Sequence, residues 1–276
     1  MGLNYKLTYH LKRTNMASVI DDAIKTHDME TFKTLLADFN NNSQIHGFIA
    51  RMIEYGFSDM LEVFIRYCDE KGTAIYFGSY INAIAKDVRI ADAFLRGTTR
   101  MNDVMLKSIL HQATISSGPG VMKRLLEDPR IDPSYDDNLT LRSSILQNDL
   151  AQVKMLIADS RVDPSIRENW CIRYAASALG NAELVRVLMQ DPRVDPSANN
   201  NECLRWAMYS DNRDLVHVLL TDKRVDPSIG DNALLQWAVK MKYSELVSQL
   251  RSDSRVDSGS SDSGLLSYIP FFGGNK

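Results

Sequence analysis

A short turn motif recurs at a nearly constant interval along the second half of this chain. Each copy has an aspartate, an arginine two residues later and a second aspartate two residues after that. The copies begin at residues 128, 159, 191, 222 and 253, and the first four continue with Pro-Ser. Successive copies are therefore 31, 32, 31 and 31 residues apart. A fixed period of this size is typical of repeat proteins, in which each unit buries its apolar face against its neighbours.

The same period continues into the first half of the chain, where the motif itself is missing. Pairs of short apolar stretches at helical spacing precede regularly placed apolar residues, which we expect to end the second helix of each unit. These residues are Leu35, Phe64, Phe94, Leu125, Leu156, Leu188, Leu219 and Leu250. The sequence thus predicts an all-α chain of about eight helical repeats, the first four degenerate. We divide it into an N-terminal arm or cap (1–15), degenerate repeats (16–120), regular repeats (121–257) and a Ser/Gly linker with an apolar tail (258–276).

The regular units share a pattern after Asp-Pro-Ser. Three variable residues precede an asparagine, and a small residue follows the asparagine six positions later, where it lets a neighbouring helix approach closely. Asparagine is a preferred N-cap, so we expect the first helix of each unit to begin there. The asparagines are Asn138, Asn169, Asn201 and Asn232. The second helices are expected over 183–190, 214–221 and 245–252 in the last three units, and their acidic starts suit the helix dipole.

This pattern resembles the ankyrin repeat, whose usual period is about 33 residues. The family's Thr-Pro-Leu-His-x-Ala appears here as x-x-Leu-Arg-x-Ala, as in Leu204-Arg205-Trp206-Ala207, so the Thr and His that brace the family's turn are absent, and Asn and Arg are expected to take over the capping. Runs such as Asp191-Pro192-Arg193-Val194-Asp195 look like a subtype abundant in giant DNA viruses of amoebae. The resemblance covers roughly residues 121–257 and rests on the period alone over 17–120. It implies an ankyrin-type helical repeat solenoid.

The resemblance also implies a function. Ankyrin proteins are non-enzymatic scaffolds that bind a protein partner through their concave face and loop tips. A viral relative would act in the cytoplasm of the host cell on host factors. Two alternatives are a structural, self-assembling component of the virion and a substrate adaptor for a ubiquitin ligase. For the adaptor, we find no convincing F-box-like segment.

Composition argues against several other classes of function. The formal net charge of -3, with no run of basic residues, gives no sign of a nucleic-acid binder. No apolar run reaches the roughly 18 residues of a spanning helix. Three widely separated cysteines argue for reduced thiols in an intracellular protein. HExxH, paired CxxC and Walker-type loops are missing, so we predict no cofactor, metal or catalytic residue. An enzyme stays an alternative only if residues 1–120 are not ankyrin-like.

The Asp/Arg/Asp turn is the most repeated chemistry in the chain. Paired carboxylates can bind a cation or transfer protons, but a single active site has no need of a copy in every repeat. An aspartate before proline forms an Asx-type turn, and arginine can bond carboxylates in its own or the adjacent unit. We therefore expect a structural role for Asp128, Arg130, Asp132 and their equivalents.

Two sets of residues are candidates for binding a partner. The variable triplets change between units while their flanks do not, as expected of loop tips. They are Tyr135, Asp136 and Asp137; Ile166, Arg167 and Glu168; Ala198, Asn199 and Asn200; and Ile229, Gly230 and Asp231. The aromatic residues Tyr174, Trp206 and Trp237 share one position of three first helices. Packing between repeats is favoured for these rings because the position is regular, but a partner-binding stripe stays open.

The C-terminal residues differ in composition from the repeats. Residues 258–264 are Ser/Gly-rich and predict a flexible linker. The following segment, 265–272, reads Leu-Leu-Ser-Tyr-Ile-Pro-Phe-Phe and is apolar. It is either a docking segment for another protein or a cap that folds over the last repeat.

Overall fold

The computed structural model describes residues 16–39, 42–116 and 119–257. Within these ranges the chain is α-helical and contains no strand, in agreement with the predicted all-α class. The predicted N-terminal arm (1–15) and the linker with its apolar tail (258–276) lie outside the described residues.

The helices follow one another in pairs, each pair joined by a short turn. Two 3₁₀ segments, Asn42–Gln44 and Phe77–Tyr80, precede the third and fifth α-helices. The pairs are α1 (Met16–Lys25) with α2 (Met29–Leu36), α3 (Ile45–Tyr55) with α4 (Ser58–Glu70), α5 (Ile81–Lys86) with α6 (Val88–Gly97), α7 (Asp103–Ser116) with α8 (Pro119–Leu126), α9 (Tyr135–Leu146) with α10 (Leu150–Ile157), α11 (Ile166–Ser177) with α12 (Ala182–Leu188), α13 (Ala198–Tyr209) with α14 (Arg213–Leu219), and α15 (Ile229–Lys240) with α16 (Ser244–Ser252).

The placement of one apolar residue in the second helix of every pair is confirmed. The eight apolar residues that defined the period, from Leu35 to Leu250, all lie in even-numbered helices. All eight are buried, six of them with no exposed surface at all. The repeat period of the sequence therefore reflects one buried position that recurs in each even-numbered helix of the described residues.

The chain forms two compact units, with the boundary between Ile166 and Arg167. This boundary falls inside the regular repeats, at the start of α11. In the first unit, even-numbered helices pack on even-numbered ones, such as α4 on α6, and odd-numbered helices on odd-numbered ones, such as α5 on α7. Its early core is aromatic: the rings of Phe32 and Phe64 lie 6.0 Å apart, and Phe48 meets Phe64 edge-on at 6.0 Å.

The second unit repeats this pattern of helix contacts with an aliphatic core. Helix α12 packs on α14, α13 packs on α15, and the pairs α13–α14 and α15–α16 are in contact. Fully buried aliphatic residues, such as Leu184, Leu215 and Leu219, fill the space between the helices. Cys171 and Cys203 are buried here as thiols, and Cys68 is buried in the first unit.

The predicted N-caps of the first helices are wrong. The helical segments start at Tyr135, Ile166, Ala198 and Ile229, but the following three residues have a left-handed backbone that ends at the asparagine. The right-handed part of each first helix therefore begins directly after the asparagine, as predicted, and only the capping role of its side chain is contradicted. The side chain of each asparagine bonds the backbone of the next turn motif along the chain, 25 or 26 residues away. A partner so distant in sequence takes the amide away from the local capping role.

The predicted starts of the second helices are correct to within one residue. Asp149, Asn181 and Asn212 act as N-caps, each accepting a hydrogen bond from the backbone N–H three residues later. The residue before each cap has a positive φ, as at Asn148, Gly180 and Asp211. In α16 the N-cap position is Tyr243, whose side chain makes no capping bond. Helices α12 and α14 end two residues earlier than predicted.

Candidate partner-binding site

Each variable triplet leads into a left-handed turn that contains its second and third residues and the following asparagine. In each turn three consecutive residues have φ near +50° to +63°, and only Gly230 among them is a glycine. A left-handed conformation costs a non-glycine residue about 1–2 kcal/mol, so a run of three persists only where other contacts over-determine it. The residues concerned are 136–138, 167–169, 199–201 and 230–232. Two sets of hydrogen bonds supply the required support.

The first set comes from the asparagine at the end of each turn. Asn201 is buried, and its Oδ1 accepts the backbone N–H of Asp226 at 2.9 Å. Asn169 accepts the N–H of Asp195 in the same way at 2.7 Å. Each amide thus ties its own turn to the next turn motif along the chain. Asparagine also tolerates positive φ better than most residues, which suits it to this position.

The second set comes from the arginine or glutamine four residues after the asparagine. Arg142 donates from Nε to the carbonyl of Asp137 at 3.0 Å and from Nη2 to that of Asp136 at 2.8 Å. Arg205 bonds the corresponding carbonyls of Asn199 and Asn200. Further bonds of this kind join Arg173 to Glu168 and Gln236 to Asp231. Arg or Gln thus bonds the turn of its own repeat, whereas the asparagine bonds the next turn motif and does not cap the helix as expected.

The Asp/Arg/Asp motif has a structural role in these turns. Arg130 forms a two-pronged ion pair with Asp128 and also donates to the carbonyls of Leu95 and Thr98, one repeat earlier. Its hydrogen bond holds the pKa of Asp128 below the usual range. Arg161 forms the same two-pronged ion pair with Asp159 and donates to the carbonyls of Leu126 and Ile131, one repeat earlier. The predicted bond to a carboxylate of the arginine's own repeat is confirmed. The adjacent repeat supplies backbone carbonyls and not a carboxylate.

The second aspartate of the motif forms the predicted Asx turn. Asp195 Oδ1 accepts the backbone N–H of Ser197 at 2.9 Å and its hydroxyl at 2.6 Å. Equivalent bonds join Asp132 to Ser134, Asp163 to Ser165 and Asp226 to Ser228. Both carboxylates of the motif are therefore engaged within the turn. Across residues 16–39, 42–116 and 119–257, no group of three or more His, Cys, Asp or Glu side chains is placed to hold a metal ion.

The variable triplets divide by exposure in the same way in all four turns. The first residue is half-buried, and the second and third are exposed. Half-buried are Tyr135, Ile166, Ala198 and Ile229; exposed are Asp136, Asp137, Arg167, Glu168, Asn199, Asn200, Gly230 and Asp231. The hydroxyl of Tyr135 donates to the carbonyl of Lys107 at 3.3 Å, which gives this residue a packing role. The exposed second and third residues are the true tips.

The predicted aromatic position contains both packed and accessible rings. Trp237 is buried and meets Tyr243 edge-on at 5.1 Å, and the hydroxyl of Tyr243 donates to Asp211 at 2.5 Å. Tyr174 and Trp206 are half-buried on α11 and α13. Packing therefore accounts for Trp237, whereas Tyr174 and Trp206 retain surface for a partner.

Sequence reasoning missed two aromatic residues beside these rings. Trp170 stacks on Tyr174 with ring centroids 4.9 Å apart, and Tyr209 meets Trp206 edge-on at 5.7 Å. Tyr209 is 68% exposed, among the most exposed large apolar side chains of the described residues. The available signal was helical spacing: Trp170 lies four residues before Tyr174, and Tyr209 three after Trp206.

A charged cluster connects two of these helices within the second unit. Glu202 on α13 accepts hydrogen bonds from Arg173 Nε on α11 at 2.5 Å and from Asn199 Nδ2 at 2.6 Å. Trp206 Nε1 donates to the other oxygen at 3.4 Å. Burial by itself would raise the pKa of Glu202, but the bonds from Asn199 and Arg173 outweigh it and lower the pKa. The carboxylate therefore stays ionised and bonds both a tip residue, Asn199, and the indole of Trp206.

Two of the three buried thiols are poor nucleophiles. Burial raises the pKa of both Cys68 and Cys203 to about 12, so neither is a thiolate at neutral pH.

Comparison of the chain with protein-family models, with curated proteins and with solved structures gives no match. Among the described residues, no helix has the length and apolar character needed to cross a bilayer.

Proposed function

We propose that this chain is an ankyrin-type helical repeat solenoid of about eight units that acts as a non-enzymatic scaffold for binding a protein partner. The support for the repeat architecture is the sequence period, the recurring helix pairs and the packing of even-numbered helices on even-numbered ones within each unit. By the resemblance described above, the partner is a host protein met in the cytoplasm.

One observation carries this proposal: the tips share the same left-handed backbone conformation but have different side chains. In the second unit the exposed tip pairs are Arg167-Glu168, Asn199-Asn200 and Gly230-Asp231, each on the same left-handed turn. Maintaining this costly conformation at each tip positions different side chains on a rigid support. A pre-organised surface loses little conformational entropy on binding, which favours recognition.

The aspartates that open each turn motif are poor candidates for acid–base catalysis. The motif aspartates with lowered pKa values are each held by the arginine two residues later. An arginine partner stabilises the carboxylate and makes it a poor proton donor or acceptor near neutral pH. These shifts therefore reflect turn structure.

The test is capture of a partner by the tagged full chain from an amoebal lysate, with identification by mass spectrometry. The charge swap Arg167→Glu/Glu168→Arg changes one tip without changing net charge. We expect it to reduce capture of a specific host protein at least about tenfold, equivalent to about 1.4 kcal/mol. The matched control swaps Glu183 and Arg186, an exposed pair with Nε and Oε2 3.3 Å apart on α12.

The control swap is expected to leave capture unchanged. Equal capture by both swapped chains would contradict binding through the tips. Recovery of this chain alone, with no host protein, would contradict the scaffold proposal and favour self-assembly.

A further inference from the structure

A chain of hydrogen bonds joins two consecutive tips of the second unit. Arg173 on α11 donates from Nη1 to the carbonyl of Glu168, in the tip of its own helix, at 3.3 Å. Its Nε donates to Glu202 on α13 at 2.5 Å, and the same carboxylate accepts a bond from Asn199, in the tip of α13, at 2.6 Å. The side chains of Arg173 and Glu202 are only 23% and 14% exposed. The two tips are therefore linked through two partly buried, oppositely charged side chains.

The carboxylate of Glu202 is a departure from the repeat pattern. The residue directly after the turn asparagine is Leu139, Trp170, Glu202 or Ala233 in the four regular units. Of these side chains only that of Glu202 can accept a hydrogen bond. The bond by which Arg or Gln braces its own tip recurs in all four units, so the turn forms without a carboxylate at this position. The link between the tips is thus an addition to the repeat that its turn does not require.

We propose that Glu202 is a positioning residue that joins the tips of α11 and α13 into one composite recognition site. This inference rests on the proposed function and deepens it, since it names the tips that act together and the kind of partner they fit. Fixing two tips relative to each other removes freedom that a partner would otherwise have to restrict on binding. We define the composite site as Arg167, Glu168, Asn199, Asn200 and Tyr209.

The same carboxylate extends the site along α13. The second oxygen of Glu202 accepts the indole N–H of Trp206 at 3.4 Å, and the ring of Trp206 meets Tyr209 edge-on at 5.7 Å. Each step from Asn199 to Tyr209 is therefore a direct contact between side chains of one helix. Tyr209 is 68% exposed, so its ring is accessible to a partner on the same helix as the tip.

Charge indicates the kind of partner that fits. In the tip of α11, Arg167 and Glu168 carry opposite charges, and the tip of α13, Asn199-Asn200, is uncharged. The composite site has no net charge and therefore selects neither a strongly basic nor a strongly acidic partner. Asparagine amides both donate and accept hydrogen bonds, as peptide groups do, and tyrosine is favoured at the centre of interfaces. The site fits a protein segment that offers peptide groups to the asparagines and one apolar or aromatic side chain to Tyr209.

The variant Glu202→Gln tests the link without changing a residue of the composite site. The carboxylate oxygens accept three donors, whereas glutamine has one acceptor oxygen and two N–H groups of its own. At least one of the three donors therefore loses its acceptor. The matched control is Glu183→Gln, which removes the same charge from an exposed pair on α12. Circular dichroism should show full helix content in both variants.

Nitrogen–proton NMR spectra of the full chain measure the coupling between the tips. In Glu202→Gln we expect the indole resonance of Trp206 to shift, and the backbone amide resonances of residues 167–168, in the other repeat, to shift with it. Exchange of the Asn201 N–H, which donates to the Ser197 carbonyl at 2.8 Å, should become at least about threefold faster. The control should match the unsubstituted chain at all of these signals. Changes confined to α13 would overturn the link between the tips.

Partner capture measures whether the linked tips act as one site. If they do, Glu202→Gln captures the host protein at least about threefold less well than the unsubstituted chain or the Glu183→Gln control. Tyr209→Gln should reduce capture similarly, because it removes the exposed ring. Its control is Leu146→Gln, since Leu146 is 53% exposed and, like Tyr209, is the last residue of a first helix. Equal capture by Tyr209→Gln and Leu146→Gln would overturn the partner chemistry assigned to the site.

The outcomes distinguish this inference from the proposed function. Reduced capture by Glu202→Gln, Tyr209→Gln and the charge swap at residues 167–168, with full capture by both controls, supports the composite site. Reduced capture by the charge swap alone would refute the composite site and leave the scaffold proposal intact. Coupled NMR changes with no host protein captured by any chain would contradict the scaffold proposal, and the recognition role of Glu202 with it.

Discussion

Asn138 and Asp163 exchange two hydrogen bonds across 25 residues of sequence. The Nδ2 of Asn138 donates to the carbonyl of Asp163 at 3.1 Å, and the Asp163 N–H donates back to Oδ1 at 3.3 Å. The side-chain amide of Asn138 thus pairs with both the N–H and the carbonyl of Asp163, in the way that two backbone strands pair. Asn232 and Asp257 form the same reciprocal pair at the end of the described chain. These bonds satisfy backbone groups that the turn would otherwise leave unpaired.

We predict that Asn201→Ala destabilises the protein much more than Asn200→Ala. Both residues have positive φ, so both substitutions place alanine in a strained conformation. Only Asn201 is buried and accepts the N–H of Asp226, whose loss leaves that donor unsatisfied at about 1–3 kcal/mol. Urea denaturation of the two variants measures the difference, and equal free energies of unfolding would contradict a role for the side-chain bridge.

We predict that Arg161→Lys lowers the free energy of unfolding by about 1–3 kcal/mol, because a lysine cannot satisfy a carboxylate and two carbonyls at once. Arg161 bonds both oxygens of Asp159 and the carbonyls of Leu126 and Ile131. The control Arg186→Lys alters an exposed pair and should change stability by less than about 0.5 kcal/mol. Thermal unfolding followed by circular dichroism would test this prediction. An equal decrease in unfolding temperature for both variants would contradict a stabilising role for the four hydrogen bonds of Arg161.

We predict that acid destabilises the protein through the motif aspartates. Hydrogen bonds from Arg130, Arg161, Arg193, Arg224 and Arg255 lower the pKa values of the aspartates two residues before them. A lowered folded-state pKa contributes stability above the unfolded value of about 3.9, and this stability is lost as pH falls through the folded-state pKa.

The measurement is the free energy of unfolding in urea between about pH 6 and pH 2.5. It should stay level down to about pH 4 and then decline. In the double variant Asp159→Asn/Arg161→Gln the decline should be shallower, since one linked carboxyl is gone. A decline of equal slope in both proteins would show that Asp159 does not contribute.

We predict opposite effects for alanine at two helical glycines of the first unit. A Cβ at Gly97 would lie 2.8 Å from both Cβ and Cγ2 of Ile65 and 3.2 Å from the carbonyl of Glu62, so Gly97→Ala should cost about 1–3 kcal/mol. A Cβ at Gly47 meets nothing within 4 Å, and Gly47→Ala should stabilise helix α3 by up to about 1 kcal/mol. Chemical denaturation of both variants would reveal the sign, and destabilisation at Gly47 would contradict this account.

Local features of the sequence were sufficient to predict the helix pairs. A buried position every 29 to 32 residues identified all eight second helices, because the apolar residue at this position of the helix has the same packing requirement in each repeat. The caps Asp149, Asn181 and Asn212 were also predictable, since their bonds lie within three residues. The Asx turns followed from Asp-Pro-Ser for the same reason.

The misassigned asparagines show where local reasoning fails. Asn201 is a residue type that favours the N-cap position. Its Oδ1 instead accepts the backbone N–H of Asp226, and these atoms come within 2.9 Å of each other only when helices α13 and α15 are packed together. The exposure of Tyr209 and the burial of Trp237 likewise depend on which neighbouring side chain reaches each ring. Sequence alone determined the period, the helices and the short-range turns, because their hydrogen bonds close within a few residues. Only the tertiary structure decided which polar side chain braces which turn and which aromatic ring stays accessible, because those contacts join residues that folding brings together.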